Sequence, residues 1–101
     1  MPLYAMIGYD HPDSIARRET IRAEHRAYCR ANIDRVRLAG AFNDENGRQI
    51  GTMIVFEADD EQTVWDWIRD EPFCSNGIYR QLEVRLWNLV VGEIVRPESA
   101  A

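Results

Sequence analysis

One hundred and one residues leave room for one small domain and rule out a two-domain enzyme. At 46% hydrophobic, 10% aromatic and 29% charged residues, the chain is composed like a folded globule and is too apolar for a disordered linker. A net charge of −5 argues against nucleic acid and anionic membrane as partners, since phosphate contacts need surplus basic surface; the twelve basic residues are all arginine, and the absence of lysine excludes Schiff-base chemistry and a Walker-type phosphate loop.

No segment approaches the roughly 20 apolar residues of a membrane span. The N-terminus Met1-Pro2-Leu3-Tyr4 lacks the basic region and cleavage site of a secretion signal, so a soluble, cytoplasmic protein is expected. Cys29 and Cys74 form no Cys-x-x-Cys or Cys/His cluster, which signals neither a zinc site nor a disulfide framework. No repeat or linker interrupts the chain, and a single domain over residues 1–95 is expected, followed by a tail at residues 96–101.

Residues 3–9 alternate Leu3/Ala5/Ile7/Tyr9 with Tyr4/Met6/Gly8 and carry little charge on either side, which predicts a strand in the middle of a sheet. The turn Asp10-His11-Pro12-Asp13-Ser14 ends on a helix N-cap residue, and the pattern is helical from about residue 14 to 32. Residues 36–42 read as a second strand, and Asn43-Asp44-Glu45-Asn46-Gly47 supplies a hairpin turn into a third at 52–58. Asp59-Asp60-Glu61-Gln62 places acidic residues before a short helix with Val64, Trp65 and Ile68 on one face, which Pro72 stops. After the turn Ser75-Asn76-Gly77, residues 79–91 alternate as a long final strand.

The order βαββαβ most often closes as an α+β, ferredoxin-like antiparallel sheet with two helices on one face. Tyr4, Met6, Met53, Val55, Trp87 and Leu89 are expected to make the other face apolar as well. An open apolar face is a liability on a monomer, so a homodimer packed sheet against sheet is expected.

On a helix turning about 100° per residue, Arg18, Arg22, His25 and Cys29 share an arc of about 60°, and apolar neighbours mark that arc as the buried one. Burying two arginines and a histidine costs several kcal/mol unless they are partnered or line a wet pocket. In the structural reading, the arginines snorkel and His25 is a core histidine bonded to a backbone carbonyl. In the functional one the stripe faces a pocket, where the arginines hold an anion and His25 moves a proton near neutral pH. Such a base needs an orienting carboxylate, and Asp70 and Glu71, where the second helix breaks, are the candidates. Cys29 and Cys74 read mainly as packing, His11 as an exposed loop residue, and the three tryptophans as core or interface.

At these residues the chain resembles a known family. Gly8-Tyr9-Asp10-His11-Pro12-Asp13-Ser14, then Arg18, Arg22 and His25, then Ala39-Gly40, Gly51-Thr52, Glu71-Pro72-Phe73 and Val84-Arg85-Leu86-Trp87-Asn88 are similar to the YciI-like proteins, the YCII-related domain. The resemblance implies a dimeric α/β barrel and a His-Asp dyad. His25 matches the histidine, and Glu71 stands in the carboxylate position of the family's Asp-Pro-aromatic motif. Because glutamate is one methylene longer, three alternatives remain: a dyad of different spacing, Asp70 in its place, or no dyad. Ser14 matches the family's serine, and Tyr9 and Ser14 join Arg18 and Arg22 as expected substrate-binding residues.

The activity associated with this family is dehydrochlorination of a chlorinated hydroxyhydroquinone, and related barrels include muconolactone isomerases. Both reactions need only proton transfer in a small anionic or aromatic ring substrate, with no metal or organic cofactor. The expectation is a cofactor-free lyase or isomerase; the alternative is a non-catalytic small-ligand binding or accessory dimer.

Overall fold

The computed structural model describes residues 1–95, and the expected tail at 96–101 lies outside them. The elements are β1 (Leu3–Asp10), α1 (Ile15–Ala31), β2 (Val36–Asn43), β3 (Gln49–Glu57), α2 (Glu61–Arg69), α3 (Pro72–Ser75) and β4 (Tyr79–Trp87). The strands form one antiparallel sheet in the order β2-β3-β1-β4. This is the α+β, ferredoxin-like fold from which dimeric α/β barrels are built. Among the described residues, no helix is long and apolar enough to cross a membrane.

Local chemistry accounts for the element ends. Gly47 takes φ +79° in the β2–β3 turn, a left-handed conformation that glycine adopts without a Cβ penalty. Asp60 caps α2, its carboxylate accepting the Thr63 backbone N–H at 2.9 Å. Ser14 behaves differently from the expected cap. It precedes α1, but its hydroxyl donates to the His11 carbonyl at 2.7 Å and caps no helical N–H.

The pairing register corrects the expected division of the sheet. Tyr4 and Met6 lie beside Phe56 and Ile54 of β3 and beside Leu86 and Val84 of β4, and they share the core with Val64 and Ile68 of α2. They therefore face the helices. The outer face instead carries Leu3, Ala5, Ile7, Met53, Val55 and Trp87, with Tyr9, Leu38 and Phe42 exposed toward one end. The final strand also stops earlier than the alternation suggests, at Trp87, because its partner β1 begins at Leu3 opposite. The chain then leaves the sheet edge and reaches the opposite one, where the Ile94 carbonyl accepts from Arg37 of β2.

Candidate active site

The inner stripe of α1 supplies the histidine. Arg18, His25 and Cys29 are buried, while Arg22 is half-buried at the margin. Opposite His25, α2 has ended, and the chain turns through Glu71 in an extended conformation (φ −67°, ψ 127°) into α3, with Pro72 in its first turn. A proline is readily accepted there because its missing N–H would have no helical partner.

Glu71 is fully buried and three donors converge on its carboxylate. Its Oε1 accepts the Phe73 backbone N–H at 2.9 Å and a short hydrogen bond from His25 Nδ1, while its Oε2 accepts the Tyr79 hydroxyl at 2.9 Å. A carboxylate used only as an acceptor assigns the proton to Nδ1 and leaves Nε2 with its lone pair. The imidazole stacks on Phe73, with centroids 4.0 Å apart and planes 15° apart. Burial, with the Glu71 charge adding to it, raises the Tyr79 hydroxyl well above its usual range, so it stays a donor. The Tyr79 ring has room because residue 8 is glycine: a Cβ there would come within 2.7 Å of it.

Nε2 lies 3.9 Å from the Cys29 sulfur. Burial, followed by the Glu71 charge, pushes the Cys29 thiol up to about 12. It is therefore a neutral neighbour and not half of a thiolate–imidazolium pair. Both cysteines are free.

Arg18 does not snorkel. It is 2% exposed, and its Nη2 donates to the Gly51 carbonyl at 2.7 Å and to the Thr52 hydroxyl at 2.6 Å. Its Nε faces the Asp10 carboxyl at 3.5 Å, and its guanidinium carbon sits 4.3 Å from the Phe73 ring centroid. Burial lowers the Arg18 pKa, and burial raises that of Asp10 despite the attraction of Arg18. Both Asp10 oxygens, and Nε and Nη1 of Arg18, are buried without a hydrogen-bond partner.

Arg18, Arg22, His25, Cys29, Thr52 and Phe73 line a cavity of about 270 Å³ between α1 and the β2–β3 side of the sheet. The Ala39-Gly40-Ala41 stretch of β2 forms the opposing wall, and the exposed Arg26 and Arg30 stand at its solvent side. Among the described residues, no group of three or more His, Cys, Asp or Glu is placed to hold a metal ion.

The structure thus brings together Arg18, Arg22, His25 and Glu71, and it separates three other expected site residues from them. Asp70 is the exposed C-cap of α2, and the carboxylate on His25 is that of Glu71. Tyr9 points to the outer face of the sheet, where it stacks with Phe42 at 6.4 Å. Ser14 is buried in its bond to His11 and does not line the cavity. Sequence reasoning missed Tyr79, Thr52 and Asp10 as members of the site. An aspartate at the end of an otherwise uncharged strand was the signal available for Asp10.

Comparison with known proteins adds a family and a fold. Residues 2–88 match the YCII-related domain. No match was found among the curated proteins. The solved structure of 5-chloro-2-hydroxyhydroquinone dehydrochlorinase (TftG) from Burkholderia phenoliruptrix AC1100, in complex with 2,5-dihydroxybenzoquinone, is similar at a TM-score of 0.77 and 21% identity, over 85% of this chain and 93% of that one. An antibiotic biosynthesis monooxygenase is similar at a TM-score of 0.55 and 18% identity, over 90% of this chain and 100% of that one. Proteins of such different activities share the fold, so the reaction has to be argued from the site.

Proposed function

The chain belongs to the YCII-related domain family, and we propose that it is a cofactor-free enzyme that moves a proton on a small anionic or aromatic ring substrate, with His25 as the base. One observation carries the reading: the His25 Nδ1–H is committed to Glu71, so the ring nitrogen left to accept a proton is Nε2, whose neighbour is the weakly donating Cys29 thiol at 3.9 Å, in a histidine that lines the cavity. Glu71 fixes the tautomer and ring orientation, as an orienting carboxylate does in other histidine bases. Arg18 and Arg22 stabilise negative charge that develops on the substrate, in a site partly shielded from water.

A chlorinated hydroxyhydroquinone suits this arrangement. Nε2 takes a hydroxyl proton and returns it to the ring carbon that bears chlorine. Loss of a second hydroxyl proton then expels chloride with the C–Cl electron pair. HCl is lost overall and a hydroxybenzoquinone remains. The working form is proposed to be a homodimer packed through the outer sheet face, where Tyr9, Leu38 and Phe42 are exposed.

The test is turnover of a panel of chlorinated quinols and lactones, followed by chloride release and substrate absorbance. His25→Asn is expected to lower kcat by about 10²–10⁴-fold while the ligand still binds. Unchanged turnover in that variant would overturn the reading. So would a protein that binds panel members, turns none over and binds them equally well without the imidazole, since that is the behaviour of a ligand-binding module.

A further inference from the structure

The proton-transfer reading accounts for Arg18 and Arg22 but not for the two arginines that follow them. Arg18, Arg22, Arg26 and Arg30 recur every four residues, while the helix turns every 3.6. Each step therefore drifts by about 40° around α1, and the row spirals out of the core: Arg18 is buried, Arg22 half-buried, and Arg26 and Arg30 exposed. All four still border the same cavity.

His25 falls between Arg22 and Arg26 along the helix axis, on the buried side of this row. Measured along the axis at about 1.5 Å per residue, Arg22 lies about 4.5 Å before it and Arg30 about 7.5 Å beyond it. The cavity lining contains no aspartate or glutamate, although the chain carries five more acidic than basic residues. Among the described residues, Arg22, Arg26 and Arg30 make no ion pair with a carboxylate. Like charges four residues apart destabilise a helix, so the outer part of the row, Arg22 to Arg30, is costly without a counter-anion, whereas Arg18 has Asp10 beside it. The inner end has unpaired donors as well: Nη1 of Arg18 and Nε of Arg22 are both buried and have no hydrogen-bond partner.

We infer that the substrate carries two acidic groups, one on each side of the atom whose proton His25 moves. Arg18 and Arg22 hold the inner group, and Arg26 and Arg30 hold the outer one at the mouth. A cavity of about 270 Å³ admits a single ring with its substituents, so the class is a ring compound with acidic groups on opposite sides. This inference rests on the proton-transfer reading for its reacting atom, but it makes a claim about binding alone.

Benzoate, benzene-1,2-dicarboxylate and benzene-1,4-dicarboxylate are suitable probes, measured by calorimetry at neutral pH and low salt. A second charge-assisted contact is worth about tenfold in affinity, so the 1,4-isomer is expected to bind at least that much more tightly than benzoate, with a smaller gain for the 1,2-isomer. In the double variant Arg26→Gln/Arg30→Gln, whose sites are exposed and tolerate the change, the preference disappears while benzoate affinity stays. Equal binding of benzoate and the 1,4-isomer overturns the inference. So does loss of affinity for both ligands alike in the double variant, or absence of binding by the 1,4-isomer at millimolar concentration. His25→Asn separates the two readings, because it leaves the two-charge preference intact and lowers turnover by about 10²–10⁴-fold. A preserved preference with unchanged turnover condemns only the base, and an absent preference with His25-dependent turnover condemns only the dianion.

Discussion

Glu71 holds His25 with the same oxygen, Oε1, that accepts the Phe73 backbone N–H, so the group that orients the imidazole also opens α3. One carboxylate ties a histidine on the first helix to the backbone of the third. Its other oxygen holds the Tyr79 hydroxyl at the start of the last strand.

Replacing Glu71 with glutamine offers one acceptor oxygen to three donors and turns an amide N–H₂ toward one of them. Glu71→Gln is expected to cost about 1–3 kcal/mol in urea unfolding and to scramble the imidazole tautomer seen by nitrogen NMR. A variant of wild-type stability, with the His25 proton still on Nδ1, would show that the carboxylate is dispensable.

Arg22 provides a cleaner test of charge in the cavity. It forms no ion pair with a carboxylate among the described residues, so Arg22→Met keeps the aliphatic stem and strands no acid. Stability should stay within about 0.5 kcal/mol. The value of kcat/KM should fall about a hundredfold if the guanidinium stabilises developing negative charge. Normal turnover would assign Arg22 to packing.

Cys29 gives the protein an alkaline weakness with a definite sign. Its folded thiol is raised to about 12 from an ordinary 9.0. From about pH 9 upward the unfolded chain therefore sheds a proton that the folded chain retains, and stability falls until the folded thiol also titrates near 12. The raised Tyr79 hydroxyl acts in the same direction. Denaturant midpoints should decline across this window, less steeply in Cys29→Ala. Native Cys29 should resist iodoacetamide at pH 8 by mass spectrometry, and alkylation at the rate of a free thiol would contradict the raised value.

The dimer proposal predicts a specific loss. Phe42 is 38% exposed beside Tyr9 on the outer face, and a charge there would be buried between two sheets. Light scattering at micromolar concentration should give a dimer that buries more than about 1,000 Å², and Phe42→Glu should give a folded monomer. A wild-type monomer under those conditions would end the proposal.

What the sequence disclosed depended on whether the signal was local. The stripe of Arg18, Arg22, His25 and Cys29 follows from helix geometry alone, and the structure has it on the inner side of α1 with Arg22 at the margin. The choice between Asp70 and Glu71 was hidden, because it turns on a helix ending one residue before Asp70 and on the extended backbone of Glu71. Tyr79 was hidden for a different reason: it meets Glu71 only after β4 has paired with β1. The misplacement of Tyr4 and Met6 came from β1 itself, where both sets of alternating residues are largely uncharged and no polar side tells the faces apart. The alternation beyond Trp87 likewise carried no information about where the partner strand runs out.

The His25–Glu71 pair comes from α1 and the start of α3, whereas the wall opposite is Ala39-Gly40-Ala41 of an edge strand. Ala39 and Ala41 pair with Ile54 and Thr52 and so project from the sheet face that α1 covers. Larger side chains along this stretch would reshape the room for a ligand and leave the histidine and its carboxylate where they are. On the proposed reading, selectivity and reactivity sit on separate elements. Two descendants would then keep one base and, by drift along a single strand, come to accept quite different molecules.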